Sequence, residues 1–319
     1  MFKKVYRYTL LIGAICILLL TLFGYLARWI DLAEYVVSLR PFYFTMGLVV
    51  LPLGLQQKHK SILCLAGASL LINAIEFAPY YIPTNKPPDH NLTVLFYNID
   101  KIRIPQVGVS EVVNLIEKQN ADLVVLREVG VEPATDLLNH FEPTYPHTIT
   151  YHHADHDGVL ILSKLSFKNV EITQLGGGRQ FALADINHDG QTIHLLAPHP
   201  TNPLFGIEER NRQLTAIKTY LENHERPILV VGDLNVTMWS GWYKQIERTG
   251  LRNVRRGNGI MPTWRVPGFG IQVPFIYLPL DHILVSEEIG VYSAKALPSP
   301  GSDHQPLVAR LKLPHKEND

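Results

Sequence analysis

The stretch 228-ILVVGDLNVT-237 runs four apolar residues into a glycine, and then into an acid and an amide separated by one leucine. Successive side chains of a strand point to opposite faces, so Asp233 and Asn235 share one side of the backbone and Leu234 takes the other. Gly, Asp and Asn are also the usual turn formers, so taken alone the stretch reads equally well as a strand that ends in a turn. Residues elsewhere in the chain decide between the two.

Outward from this stretch, short apolar runs recur at Leu92 to Asn98, Asp122 to Leu126, Gly158 to Ser163, Phe181 to Ile186, Thr192 to Ala197, His282 to Ser286 and Leu307 to Leu313. Helical periodicity appears at Val112, Val113, Leu115 and Ile116, and again over Glu208 to Glu222. Strands and helices alternate, and "NHDG" joins two strands as a hairpin. That mixture predicts a layered α/β or α+β sandwich.

Many of these runs end in acid, amide or imidazole. "VLFYNID" supplies Asn98 and Asp100, "LVVLREV" supplies Glu128, and "IHLLAPHP" supplies His199. "LPLDHILVS" places Asp281 at a strand start, and "GSDHQPLVARL" places Asp303 and His304 before the last strand. Singly, each reads as a solvated strand end, a turn or a cap. Jointly, hard carboxylate and amide oxygens with two histidines and no cysteine describe a Mg²⁺ or Mn²⁺ site with acid and base groups, not a structural zinc.

"FYNID", "LREV", "PHPTNP", "GDLN", "PLDHILVS" and "GSDHQPL" resemble, in order, the motifs of the endonuclease/exonuclease/phosphatase superfamily. That superfamily includes deoxyribonucleases, abasic-site nucleases, neutral sphingomyelinases and inositol polyphosphate 5-phosphatases. The resemblance covers about 92–313. It implies a four-layered α/β sandwich of two facing mixed sheets flanked by helices, with the site at one edge. It also implies that Glu128 is the principal metal ligand, with Asn98 and Asp100 beside it and Asp303 near the ion. Asp233 would orient or deprotonate the attacking water, Asn235 would hold a phosphate oxygen, and His199 would serve as acid or phosphate donor. His304 would contact the phosphate with Asp281 as its acidic partner, and Asn98, Asn235 and His199 would line the substrate. Arg127 departs from the pattern, standing where the family usually has glutamine.

The first eighty residues are of another kind. Three apolar segments, about 10–27, 36–55 and 61–81, read as candidate transmembrane helices, the second interrupted by Pro52 and Gly54. Lys3, Lys4 and Arg7, and the Lys58 to Lys60 loop, belong on the cytoplasmic side. Three crossings then carry the rest of the chain to the extracytoplasmic face, whereas two leave it in the cytoplasm. The expected organisation is a membrane region over 1–81, a Pro-rich linker over 82–91, a catalytic domain over 92–313 and a tail over 314–319. Cys16 and Cys64 both lie in apolar segments, so the polar part carries no thiol chemistry. A formal net charge of zero supplies no long-range field for collecting nucleic acid.

Four further stretches mimic sites. "DINHDG", 185–190, starts like a calcium loop, but its twelfth position is Leu196, so it reads as a hairpin turn. "YHHADHDG", 151–158, reads as a solvated loop, and "GGGRQ", 176–180, as a flexible one. The proline-rich and aromatic 262–284 reads as a packed loop, or as a rim that meets lipid or a base. The expected activity is that of a membrane-anchored, Mg²⁺- or Mn²⁺-dependent phosphoesterase. Its substrate would be nucleic acid or a phospholipid headgroup, its second contact the lipid bilayer, and no protein partner is expected. The alternative is a catalytically silent member of the fold that binds lipid or a partner.

Overall fold

The apolar runs pair into two six-stranded sheets. The computed structural model of the chain describes residues 2–100, 108–152, 158–266 and 277–314. The first sheet contains β1 (Leu92–Asn98), β2 (Leu123–Arg127), β3 (His147–Tyr151), β4 (Val159–Ser163), β13 (Gly290–Ala296) and β14 (Leu307–Lys312), in the order β13-β14-β1-β2-β4-β3. The second contains β5 (Phe167–Thr173), β6 (Phe181–His188), β7 (Gln191–Ala197), β8 (Ile228–Asp233), β9 (Arg252–Asn253) and β12 (Asp281–Val285), in the order β5-β6-β7-β8-β12-β9. A short ribbon, β10 (Trp264–Arg265) with β11 (Tyr277–Leu278), stands apart. Two mixed sheets flanked by helices form the α/β sandwich.

Among the described residues, β1–β2 and β7–β8 are the parallel pairs. Parallel neighbours need a crossover. The described crossover helices are α5 (Val109–Gln119) between β1 and β2, and α7 (Pro203–Glu222) between β7 and β8. Strand alternation then builds the core. Leu92, Val94 and Phe96 of β1 pack with Leu229 and Val231 of β8 and Ile283 and Val285 of β12 between the sheets. The intervening Leu95, Tyr97, Val124 and Leu126 pack outward against Val112 and Ile116 of α5 and against Ala134, Leu137 and Phe141 of α6 (Val131–Phe141). The calcium-loop mimic is the turn of the β6–β7 hairpin: His188 pairs with Gln191, and Asp189 and Gly190 both take positive φ, as a two-residue I′ turn requires.

The chain divides into two units, Pro83–Asn235 with Gln245–Asp319, and Met1–Ile82 with Val236–Lys244. The second of these contains α1 (Phe2–Phe23), α2 (Asp31–Ser38), α3 (Arg40–Gln56) and α4 (Lys60–Tyr81). Two helical stretches, Phe2–Leu26 and Lys60–Tyr81, are long and apolar enough to cross a membrane. The middle segment reaches that standard only as α2 and α3 together, bent by 59° at Leu39. Inside the unit, Thr21 Oγ1 and Ser69 Oγ lie 2.7 Å apart and Asn73 Nδ2 donates to Thr21 at 3.0 Å, a polar knot joining α1 to α4.

Candidate active site

The inward-facing stripe of each central strand turns polar at one end. In β1 the inward positions run Leu92, Val94, Phe96 and then Asn98; in β8 they run Leu229, Val231 and then Asp233. Ile193, Leu195 and Ala197 of β7 are followed in phase by His199, and Ile283 of β12 is preceded in phase by Asp281. Both parallel pairs thus end in polar groups. Asn98 Nδ2 spans the two sheets, donating to Glu128 Oε1 at 3.0 Å and to Asp233 Oδ2 at 3.3 Å.

Glu128 lies one residue past the inward position of β2, which Arg127 occupies. Arg127 is fully buried and its NH2 donates to the Gln180 carbonyl at 3.3 Å. Glu128 adopts φ +56, turning the chain immediately after the strand. Asp100 and Asn235 take the same left-handed conformation, with φ +47 and +49. Asn and Asp enter this region more readily than other side chains, whereas a glutamate keeps such an angle only where its surroundings hold it. Here the Asp100 amide donates to Asn98 Oδ1, the Asn235 amide to Asp233 Oδ1 at 2.8 Å, and Asn235 Nδ2 to the Pro200 carbonyl.

His199 is buried with Nε2 3.5 Å from Glu128 Oε1 and 3.8 Å from Asp233 Oδ2. Its Nδ1 lies 3.0 Å from Arg179 NH1. A guanidinium can only donate, so Nδ1 carries the lone pair and Nε2 carries the hydrogen. His199 therefore presents a donor to the centre of the site.

Asp281 and Asp233 are direct cross-strand partners, two carboxylates opposed on buried strands. Such a pair is repulsive unless something neutral or cationic joins it. His304 does so: its Nδ1 donates to Asp281 Oδ1 and Oδ2 at 3.0 and 2.9 Å, and its Nε2 lies 3.8 Å from Asp233 Oδ2. Burial and the Asp281 charge push the Asp233 carboxyl up to about 7. Burial raises Asp281 too, but the His304 charge outweighs it and holds Asp281 below the usual carboxylate range. Burial opposes a charge on His304, yet the Asp281 carboxylate prevails and raises the imidazole to about 10.

Because the folded pKa of His304 lies above its ordinary 6.5, the charged pair contributes fully below that value and is lost as pH rises through about 10. In the metal-free Asp281→Asn protein, the His304 titration is expected to move from about 10 downward, toward or below the ordinary value. Histidine-selective NMR titration checks this, and an unmoved midpoint would assign the shift to some other group.

Asp303 lies at the rim, 4.0 Å from His304 Nε2, and Trp264 Nε1 donates to its Oδ2 at 3.0 Å. Asp233, Asp281 and His304 bring one ligand atom each within 4.8 Å of one another. Asp281 already gives both oxygens to His304, so within this trio Asp281 and His304 form a hydrogen-bonded pair with Asp233 3.8 Å from the far imidazole nitrogen. Glu128 lies beside the trio, bridged to Asp233 by Asn98, and Asp303 at its rim, and carboxylate oxygens of this kind suit Mg²⁺ or Mn²⁺.

Gly232 explains the glycine of the "GDLN" stretch. A Cβ there would lie 2.1 Å from the Pro198 carbonyl oxygen, so the strand carrying Asp233 can approach the His199 segment only without a side chain. Gly232→Ala is expected to cost about 1–3 kcal/mol as an overpacked contact. The thermal midpoint of the whole chain checks this, and an unchanged midpoint would mean that the contact relaxes freely.

Sequence reasoning missed three arginines and a tryptophan. Arg210 NH1 donates to the Asn235 carbonyl at 3.1 Å, and Arg255 NH1 to the Asp281 carbonyl at 2.7 Å. Arg210 and Gln213 lie in the buried stripe of α7 with Leu214, Ile217 and Leu221, and polar residues in phase with an apolar stripe were the available signal. Arg179 sits in the glycine-rich loop read as a flexible one, and Trp264 in the aromatic 262–284 stretch. The core of that stretch, 267–276, and residues 153–157 of the histidine-rich loop lie outside the described residues.

The model of the Endonuclease/Exonuclease/phosphatase family matches residues 95–304, which contain all of these groups. The chain belongs to that family. Similar solved structures include a humanized TDP2 of D. rerio, at TM-score 0.57 and 15% identity, covering 69% of this chain and 98% of that one. A family member from Beutenbergia cavernae aligns at TM-score 0.57 and 20% identity, covering 70% and 72% of the two chains. The Neisseria 3′ phosphatase NExo, bound to a product DNA hairpin, aligns at TM-score 0.56 and 16% identity, covering 70% and 100%. Among curated relatives, a UPF0294 protein of Vibrio parahaemolyticus is 32% identical over 126 residues, 39% of this chain. The match spans about four tenths of that relative's length, 42%.

Proposed function

We propose that the chain is a membrane-anchored phosphoesterase that hydrolyses a phosphate ester by in-line attack of water, with a divalent cation at Glu128. The observation that carries this reading is the meeting of Asn98, Glu128, His199 and Asp233 at the ends of two parallel strand pairs, beside the Asp281–His304 pair. Glu128, with Asn98, Asp100 and Asp303, would hold Mg²⁺ or Mn²⁺, which when bound neutralises phosphate charge and polarises the ester.

The protein's own groups do the rest. Asp233, fixed by the Asn235 amide, orients the attacking water and accepts its proton. His199, held as a donor by Arg179, and His304, held as a donor by Asp281, face the same space and offer hydrogen bonds to phosphate oxygens. Asn235, pinned by Pro200 and Arg210, steadies the same region. Rigid placement matters because in-line displacement depends on geometry and charge neutralisation.

Two helices able to cross a membrane favour a phospholipid headgroup at the bilayer face; with the bent pair α2–α3 as a third span, the positive residues near Lys3 and Lys58 on the cytoplasmic side favour an extracytoplasmic site. A nucleic-acid substrate is the second reading, favoured by neighbours such as D. rerio TDP2 complexed with a single-strand DNA product. The test is a panel of DNA, RNA, phospholipid and phosphoinositide offered to the full chain in nanodiscs, with Mg²⁺ or Mn²⁺ and with EDTA. Cleavage abolished by EDTA is expected; no cleavage of any substrate would favour a silent, binding member of the fold. A salt titration separates the two substrates, because nucleic-acid turnover weakens steeply with ionic strength and attack on a bilayer lipid far less.

A further inference from the structure

Resting on the phosphoesterase reading, we propose that Glu76 and Glu34 of the N-terminal helices are positioning residues for the catalytic acid–amide pair, acting through the segment that continues from it. The chain passes from Asp233 and Asn235 directly into Val236–Lys244, and that segment packs in the same unit as the helices. The helical unit is therefore joined to the catalytic strand by one peptide bond, Asn235–Val236.

The side chains of Trp239, Ser240, Trp242 and Lys244 are held there. Lys244 Nζ reaches both oxygens of Glu76, at 3.0 and 2.7 Å, and Tyr25 OH donates to the same carboxylate at 2.9 Å. Ser240 Oγ donates to Glu34 Oε2 at 2.7 Å, and also accepts the Trp242 amide. Trp242 Nε1 donates to the Ala27 carbonyl at 3.3 Å, with the Arg28 guanidinium 5.4 Å above its ring. Trp239 meets Phe77 edge to face with centroids 5.5 Å apart. Gly241 lies so close that a Cβ would fall 2.7 Å from Arg28 Cγ.

These contacts come from three separate parts of the helical unit: the turn that follows α1, helix α2 and the last turns of α4. Carboxylates are costly in apolar helices and are kept where they are paired. Glu34 is 3% exposed and the Glu76 side chain 14%, and each gives a carboxylate oxygen to the segment after Asn235. Asn235 itself has φ +49, a left-handed angle that asparagine tolerates and that its neighbours fix in place here. On one side Asp233, Pro200 and Arg210 constrain it; on the other the clamp does.

The test uses the full chain in nanodiscs, with Lys244→Met, Glu76→Gln, the double variant, Lys244→Arg and Ser240→Ala. Lys244→Met and Glu76→Gln are each expected to lower kcat by about 10²-fold, the scale of a small misplacement of catalytic groups. KM and Mn²⁺ affinity are expected to be unchanged. The double variant should be no worse than either single one, and Lys244→Arg should restore turnover. Hydrogen exchange supplies a readout that needs no activity: in Lys244→Met and in the milder Ser240→Ala, exchange should quicken over 240–244 and at the Asn235 amide. Unchanged kcat in both single variants, or faster exchange over 240–244 with an unaltered Asn235 amide, overturns the proposal. A wild type that cleaves nothing sinks the phosphoesterase reading alone, because the exchange result still decides whether the clamp holds Asn235.

Discussion

In the Asp233→Asn protein, turnover is expected to fall by about 10²–10⁴-fold, the contribution of a general base, with divalent-ion affinity unchanged. The substitution keeps the oxygen that accepts the Asn235 amide at 2.8 Å, so the loop after β8 stays in place. It replaces the other oxygen, which faces Asn98 Nδ2 at 3.3 Å and both His199 Nε2 and His304 Nε2 at 3.8 Å, with a group that cannot take a proton. Steady-state kinetics on whichever substrate the panel yields, beside calorimetric Mn²⁺ titration, checks the pair of outcomes. Wild-type turnover in this variant would remove Asp233 from the chemistry.

Glu128→Gln is expected to do the reverse, weakening Mg²⁺ or Mn²⁺ by at least about 10–100-fold, the range seen when even an outer partner of a metal ligand is lost. Activity should return partly as the ion concentration is raised. Glu128 is the more accessible of the central carboxylates, its side chain 25% exposed against 2% for Asp233, which suits a ligand that meets an ion arriving from solvent. Calorimetry on Glu128→Gln and Asp233→Asn side by side is decisive: equal ion affinity in both variants and in the wild type would take the ion away from Glu128.

The parts of the fold legible in the sequence were those buried on both faces. β1, β2, β4, β8 and β12 are buried at every position and show as near-continuous apolar runs. β3, β5 and β13 are largely half-buried or exposed, so His147–Tyr151, Phe167–Thr173 and Gly290–Ala296 carry no comparable signal. α6 escaped notice although its buried Ala134, Leu137 and Phe141 recur at helical spacing.

The polar groups of the site were visible because each ends an apolar run. Their supports were not. Arg210 and Arg255 act through backbone carbonyls far along the chain, and Arg179 reaches His199 from a loop whose glycines suggested only flexibility. The packing of 236–244 with the N-terminal helices was equally hidden, since Ser240 and Glu34 are separated by about two hundred residues and show no local pattern.

Because Asn98 projects from one sheet and Asp233 from the other, the centre of the site straddles a seam. Its dimensions are therefore inherited from the thickness of the hydrocarbon filling beneath it, with Phe96 and Val231 as the next inward side chains on either bank. Evolution can retune such a cleft without altering any polar residue in it, by trading bulk two positions down the strands, as a shim adjusts the gap of a vice.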